Sequence, residues 1–429
     1  MIGQARTGNR RPLIAALAAC LALLPAGGAS AQSDEPPSGR ALTLSVGAGL
    51  TATDDPEFVV NPSGSEVRAS TDLHLRFRSD TALSRLVLEA DTLLLLGLSG
   101  EDTGFERPRQ GIHLGYGRDG AATAWTFDAS LRESRIDFLR PLLDFVNEDG
   151  EIVLPDDLDD LRGEGWRRQT SLDTSLTLGR DAPFGAVLGA GFSDVSYRDT
   201  SNAALEDSER HHASLRLRFD LTPVTRLDLA MRYGLFKDST DRRETWSLSP
   251  GLSFDRPDGT IRATLSATRT EDGTRLSAEI GRVIARPWGD LDLRIGGVRL
   301  AGGDTALSGG LRMNYMLRQG RLTLALDRAA VSGNNDDETL RTALSVSYQQ
   351  ALSDLSSLSL SLAYVKSDNS ATGLATDTAS FGLGYSHALS RDWSVNLGYN
   401  HRMRDRQDSG RSTENTVSVT FSRSLTFGL

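Results

Sequence analysis

The stretch His212-Ala213-Ser214-Leu215-Arg216-Leu217-Arg218-Phe219-Asp220-Leu221 decides the fold. Apolar side chains fall at every second position, and His212, Ser214, Arg216, Arg218 and Asp220 fill the positions between. A hydrophobic period of two belongs to a β-strand with one apolar and one polar face, because successive side chains point to opposite sides. Outward from it the alternation recurs from Leu42 to the C-terminus. Leu73, Leu75 and Phe77 alternate with Asp72, His74, Arg76 and Arg78, and Leu172, Leu176 and Leu178 with Ser171, Asp173, Ser175 and Thr177. Leu358, Leu360, Leu362 and Tyr364 alternate with Ser357, Ser359, Ser361 and Ala363. Alternating segments of about ten residues, separated by turn chemistry, are the signature of a transmembrane β-barrel.

The connectors alternate too. Tight turns at Gly117–Ala121, Thr222–Thr225, Arg256–Gly259, Arg286–Asp290, Arg318–Arg321 and Ser390–Asp392 are separated by longer polar links. Among these links are Thr51–Glu66, Arg198–Glu209, Ser332–Glu338, Ser367–Asp377 and Arg404–Thr413, with Thr270–Thr274 and Ala301–Thr305 as short exceptions. Short turns at one end and long loops at the other fit periplasmic and extracellular ends. The reading is all-β: a single antiparallel transmembrane barrel over residues 41–429, with about twenty strands or eighteen. A solenoid or propeller would repeat a fixed unit, whereas here hairpins recur with loops of very unequal length.

Composition conceals this architecture. The chain has 429 residues, 24% of them charged, and a mean hydropathy of −0.30. Beyond residue 31 no apolar run nears the roughly 18 residues of a spanning helix; the longest is Leu93–Leu98. Lipid-facing and water-facing halves average to a soluble composition. Arg6, Arg10 and Arg11 precede the apolar run Leu13–Leu24, and Ala29-Ser30-Ala31 supplies a cleavage site, so residues 1–31 read as a secretory signal peptide. Leu17-Ala18-Ala19-Cys20 also fits lipidation at Cys20, although the apolar run continues past it. Residues 32–40 read as a short periplasmic leader, too short for a plug or a secreted passenger. The lone cysteine excludes a disulfide framework, and a net charge of −10 argues against nucleic acid as a partner. The expected location is the bacterial outer membrane.

Catalytic chemistry finds little support. Ser386-His387 and Asn400-His401 are the nearest approaches to an activated nucleophile, but neighbours on one strand face opposite sides. The same alternation splits His211-His212 as a metal pair. No enzyme activity, metal or cofactor is expected. The polar parity carries the candidate site: Arg76, Arg78, Arg132, Arg167, Arg216, Arg218, Arg232, Arg262, Arg294 and Arg312 fall on the lumen side with Asp72, Asp128, Asp173 and Asp220. Arg226, Glu89, Asp91, Asp228, Glu279 and Asp292 share it. Such a wall can select solutes by charge, or its members can simply pair across the sheet.

The third outer loop, residues 133–165, mixes Phe138, Leu139, Leu142, Leu143, Phe145 and Val146 with Glu148, Asp149, Glu151, Asp156, Asp157, Asp159 and Asp160. Its order and chemistry resemble the third loop of general porins, which folds inward and sets carboxylates against an arginine wall; a plain solvated or lipopolysaccharide-contacting loop is the alternative. Trp125, Trp166, Trp246, Trp288 and Trp393 fall near strand ends, as interfacial girdles do, or are ordinary core residues.

The closing strand Thr416–Leu429 sets Val417, Val419, Phe421, Leu425, Phe427 and Leu429 in one parity, interrupted by Arg423. It resembles the C-terminal signal that the outer-membrane assembly machinery reads. The whole mature chain resembles porin-like outer-membrane barrels, and Leu389-Ser390-Arg391-Asp392-Trp393-Ser394-Val395-Asn396-Leu397-Gly398-Tyr399 is similar to hairpins of the β-barrel porin 2 family. That resemblance implies a passive channel for small hydrophilic solutes, or an accessory barrel working with polysaccharide-export components in exopolysaccharide secretion. Expected partners are outer-membrane lipid and lipopolysaccharide.

Overall fold

The computed structural model describes residues 39–55, 58, 60, 64–99, 104–136, 142–147, 151–152, 164–203, 205–271, 273–332, 338–369, 375–407 and 410–429. The expected signal peptide and most of the leader lie outside them. Twenty strands follow one another: β1 (Arg40–Thr53), β2 (Glu66–Asp80), β3 (Ser84–Ser99), β4 (Phe105–Asp119), β5 (Thr123–Arg135), β6 (Trp166–Leu178), β7 (Phe184–Arg198), β8 (Ser208–Thr222), β9 (Thr225–Lys237) and β10 (Arg242–Arg256) form the first half. β11 (Gly259–Thr270), β12 (Gly273–Arg286), β13 (Gly289–Arg299), β14 (Thr305–Leu317), β15 (Gly320–Ser332), β16 (Glu338–Ser353), β17 (Ser356–Asn369), β18 (Ala375–Ala388), β19 (Trp393–Arg406) and β20 (Gly410–Gly428) form the second. Each pairs antiparallel with its sequence neighbour, and β20 pairs with β1 from Ala41↔Gly428 to Thr53↔Thr416. The sheet is therefore closed with twenty strands, not eighteen, and both ends of the barrel sequence lie at the short-turn end.

Closure is reinforced on the polar side of the β1–β20 seam by hydroxyl pairs: Thr43 with Thr426 at 3.2 Å, Ser45 with Ser424 at 3.1 Å and Thr53 with Thr416 at 3.3 Å. At the long-loop end of the seam the Asn415 backbone N–H donates to Asp54 Oδ1 at 2.6 Å and the Asn415 side-chain amide to Oδ2 at 2.7 Å. Desolvation pushes the Asp54 carboxyl up, but the hydrogen bonds from Asn415 outweigh it and leave the group below its ordinary value.

The apolar parity faces outward. Leu265, Ile280 and Ile295 stay 57–60% exposed in mid-strand, since no protein covers them. Such a band fits the hydrocarbon of a bilayer. Tryptophans mark its borders: Trp125 packs on Tyr116 and Trp288 on Tyr315 near the short turns, and Trp246 packs on Tyr233 near the long loops. Arg423, the break in the apolar parity, stacks over Trp393 with its guanidinium 5.4 Å from the ring centroid. It sits opposite the first residue of β19, where an arginine reaches the aqueous interface.

Cysteines placed at Ser45 and Ser424, in a Cys20→Ser background, should cross-link under mild oxidation, detected as a mobility shift reversed by dithiothreitol. Absence of the cross-link would contradict closure through β1 and β20. Leu265→Arg should cost about 2–4 kcal/mol in urea refolding into vesicles, with Ser266→Arg, on the polar face, costing much less. Because the Asp54 carboxyl is depressed, its contribution is present above the unfolded value of 3.8 and is lost as pH falls through the lower folded value. Amide exchange at Asn415, corrected for intrinsic rate, should accelerate across that acid window, and Asp54→Asn should flatten the response.

Candidate functional site

Register alone puts the predicted arginines and carboxylates on one wall. Asp128 lies opposite Asp173, which lies opposite Gly191, which lies opposite His212. Arg262 faces Gly281, then Arg294, then Gly310, then Asp327. Asp292 faces Arg312. This wall is the concave one, because residues of the loop after β5 reach it on β14, β16 and β17, about half a ring away.

Charge pairs on this wall often reach across an intervening strand. His212 on β8 approaches Asp173 on β6 at 3.4 Å, and Arg294 on β13 meets Asp327 on β15 at 2.8 Å. Ser308 on β14 donates to Glu279 on β12 at 3.1 Å. The strand between carries glycine each time. A Cβ on Gly191 would fall 2.1 Å from His212 Cε1 and 2.3 Å from Asp173 Oδ1; on Gly310, 2.8 Å from Arg294 Nη2; on Gly296, 2.6 Å from Glu279 Cγ. The missing side chain makes the bridge possible, so these glycines serve the wall.

A second group occupies β2–β5. Arg76 pairs with Glu89 at 3.1 Å, Arg109 lies 3.7 Å from Asp72 and 3.8 Å from Asp91, and His113 sits 3.9 Å from Glu89 and 3.6 Å from Asp128. Arg262 meets Asp292 at 3.4 Å. Arg78 pairs with Asp80, and Arg167, 6% exposed, donates to Gln169 at 2.8 Å. Arg218 donates to the carbonyls of Gly179, Arg180 and Ala182 at 2.7–2.9 Å and so braces a short turn, while Asp220 accepts from Arg226 at 3.0 Å. Arg132, Arg216 and Arg232 are exposed and make no ion pair among the described residues. Arg109, His113 and Asp327 are not among the residues read from sequence, and His212 is there only as a polar-face residue; their partners are set by register, which alternation does not reveal.

The third loop is narrower than expected, since Glu133–Arg135 belong to β5. Its 3₁₀ turn Leu142–Phe145 places Leu142, 2% exposed, against Ala363 and Val365 of β17, with Val146, Ile152 and Ala343 around it. Val146 and Ile152 bridge antiparallel, the Asn147 N–H donates to the Glu151 carbonyl at 2.9 Å, and the Glu151 N–H donates to Asn147 Oδ1 at 2.8 Å. This small hairpin presents the Glu151 carboxylate to Arg312 on β14. Of the loop carboxylates expected against the arginines, Glu151 is thus placed; Glu148, Asp149, Asp156, Asp157, Asp159 and Asp160 lie outside the described residues. Among the described residues no cluster has the make-up of a metal site.

The bridging glycines give a paired expectation. Gly310→Val should lower stability by roughly 1–3 kcal/mol by forcing Arg294 and Asp327 apart. Gly297→Ala, on the outer face, meets only the Ala306 carbonyl at 3.7 Å and should be close to neutral in the same urea titration.

No protein-family model and no curated protein matches the chain. Among solved structures it is similar to a mutant of the ferric enterobactin receptor PfeA of Pseudomonas aeruginosa, with a TM-score of 0.51, 11% identity and coverage of 92% of this chain and 81% of that one. The siderophore receptor PirA of the same organism aligns at a TM-score of 0.49 and 11% identity over 92% and 82% of the two chains. The outer membrane protein OpdK, also from P. aeruginosa, aligns at 0.40 and 14% identity over 90% and 99%. The resemblance of Leu389–Tyr399 to the β-barrel porin 2 family finds no family match, since turn style and alternation are common to hairpins of many barrels. What the chain shares with the PfeA receptor is a fold: a closed single antiparallel β-barrel.

Proposed function

We propose that the chain forms a passive channel for small hydrophilic solutes in the bacterial outer membrane, narrowed by its third loop. The observation that carries this reading is the seat of the loop: Leu142 on Ala363 and Val365, and Glu151 on Arg312, set a loop segment against a charged luminal wall. A ring of twenty strands is too wide for wall side chains to fill, since eight-stranded barrels are filled and barrels of 16–18 strands leave a water-filled lumen. Exposed Arg132, Arg216 and Arg232 supply cationic contacts along the wall. No catalytic role is assigned to the histidines; His113 and His212 pair with carboxylates of the luminal wall.

A second reading draws on the same seat. Ser345 at 3% and Ser380 at 1% exposure are luminal residues shut away from water, which favours an accessory barrel closed until a secretion partner opens it. Planar-bilayer recording separates the two. Steady conductance of the purified barrel without a partner supports the channel, and none from correctly folded protein rejects it. Deleting residues 137–163 should raise single-channel conductance; unchanged current would reject the constriction. The outer-membrane orientation is tested on intact cells in a Cys20→Ser background. A membrane-impermeant maleimide should label Glu271→Cys, at the long-loop end, and not Gln319→Cys in a short turn.

A further inference from the structure

A groove of about 740 Å³ lies on the lipid-facing wall over β1–β6, away from the lumen. Its floor comes from side-chain size in register. On β3 the outward positions hold the short Ala90 and Thr92, between Leu75 and Leu73 on β2 and Ile112 and Gln110 on β4. Thr92 turns its hydroxyl to the Arg109 carbonyl at 3.2 Å and so offers its methyl to the groove. The apolar end is exposed: Leu75 is 41% and Ile112 53% accessible.

The other end of the groove is polar and lies within a few residues of the long loops. Gln110, Glu133, Arg168 and Arg107 line it. Pro108 cannot donate to the β3 ladder, and the register slips beside it between Leu93 and Leu95; such a bulge re-aims a neighbouring side chain, here Arg107. Of the two carboxylates at the groove, Asp91 belongs to the luminal parity and lies 3.8 Å from Arg109, and Glu133 is already matched by Arg198 at 3.0 Å and by the Gln110 amide. Arg107 and Arg168 are exposed and have no ion-pair partner among the described residues. Arg198 in turn stacks over Trp166 at 5.1 Å, marking the interface level.

We propose that this groove binds a phosphorylated glycolipid of the outer leaflet, the lipid A part of lipopolysaccharide. Its phosphate sits between Arg107 and Arg168, and one acyl chain lies along Ala90 and Thr92. The chemistry is that of an amphiphile: guanidinium groups recognise phosphate through paired N–H donors, and the apolar floor continues from them into the hydrocarbon band. The assignment to the outer leaflet rests on the orientation proposed above.

The test uses the purified full-length barrel in detergent, titrated with diphosphoryl lipid A and read by native mass spectrometry. Arg107→Ala with Arg168→Ala should weaken binding about 30-fold. Ala90→Phe, which fills the floor without touching charge, should weaken it as well, and folding of each variant is verified by heat-modifiable mobility. Arg242→Ala, a rim arginine paired with Glu244, should leave binding unchanged. Equal affinity of the double variant and the wild type, or equal affinity for phosphate-free lipid A or phosphatidylcholine, would overturn the site. Conductance and maleimide labelling are recorded on the same variants. Intact conductance with unaltered lipid affinity sinks only the glycolipid site, whereas failed labelling of Glu271→Cys sinks the orientation.

Discussion

Everything in this barrel depends on the pairing of β20 with β1. A backbone N–H or C=O left unpaired in hydrocarbon costs several kcal/mol, so a sheet can cross a bilayer only if it has no edge. Thirteen residue pairs from Ala41↔Gly428 to Thr53↔Thr416 remove that edge, and the Thr and Ser hydroxyls beneath them tie the seam on its watery side. Closure in turn commits each strand to one lipid-facing and one lumen-facing row. The period-two pattern is the record of that commitment.

Inside, curvature changes the rules of side-chain pairing. On a concave wall side chains converge, and groups two strands apart come within ion-pair distance if the strand between presents no side chain. Gly191 between Asp173 and His212, and Gly310 between Arg294 and Asp327, are such gaps. Several luminal charges are matched in this way. Against this wall the third loop finds both an apolar seat, Ala363 and Val365, and a cationic one, Arg312. A loop held at two chemically different points is positioned rather than merely attached.

The outer wall is equally specified. Tryptophans beside tyrosines border the apolar band at both ends, and Arg423 departs from its apolar row at the interface, where its charge reaches water beside Trp393. Over β1–β6 short side chains on one strand between long ones on its neighbours leave a groove. Pro108 turns an arginine toward its mouth.

The sequence by itself determined the fold class, the two faces of each strand, and the short-turn and long-loop ends. All of these follow from alternation and turn chemistry, which are local. Every predicted luminal residue, from Asp72 to Arg312, shares one face because parity cannot slip without inverting a whole strand. Local patterns hold no information on which residue of one strand lies opposite which residue of the next. The number twenty, the reach of His212 over Gly191, the meeting of Glu151 with Arg312 and the seat of Leu142 were therefore decided only by the tertiary structure. There the ring closes, register is fixed, and residues distant in sequence are brought to one wall.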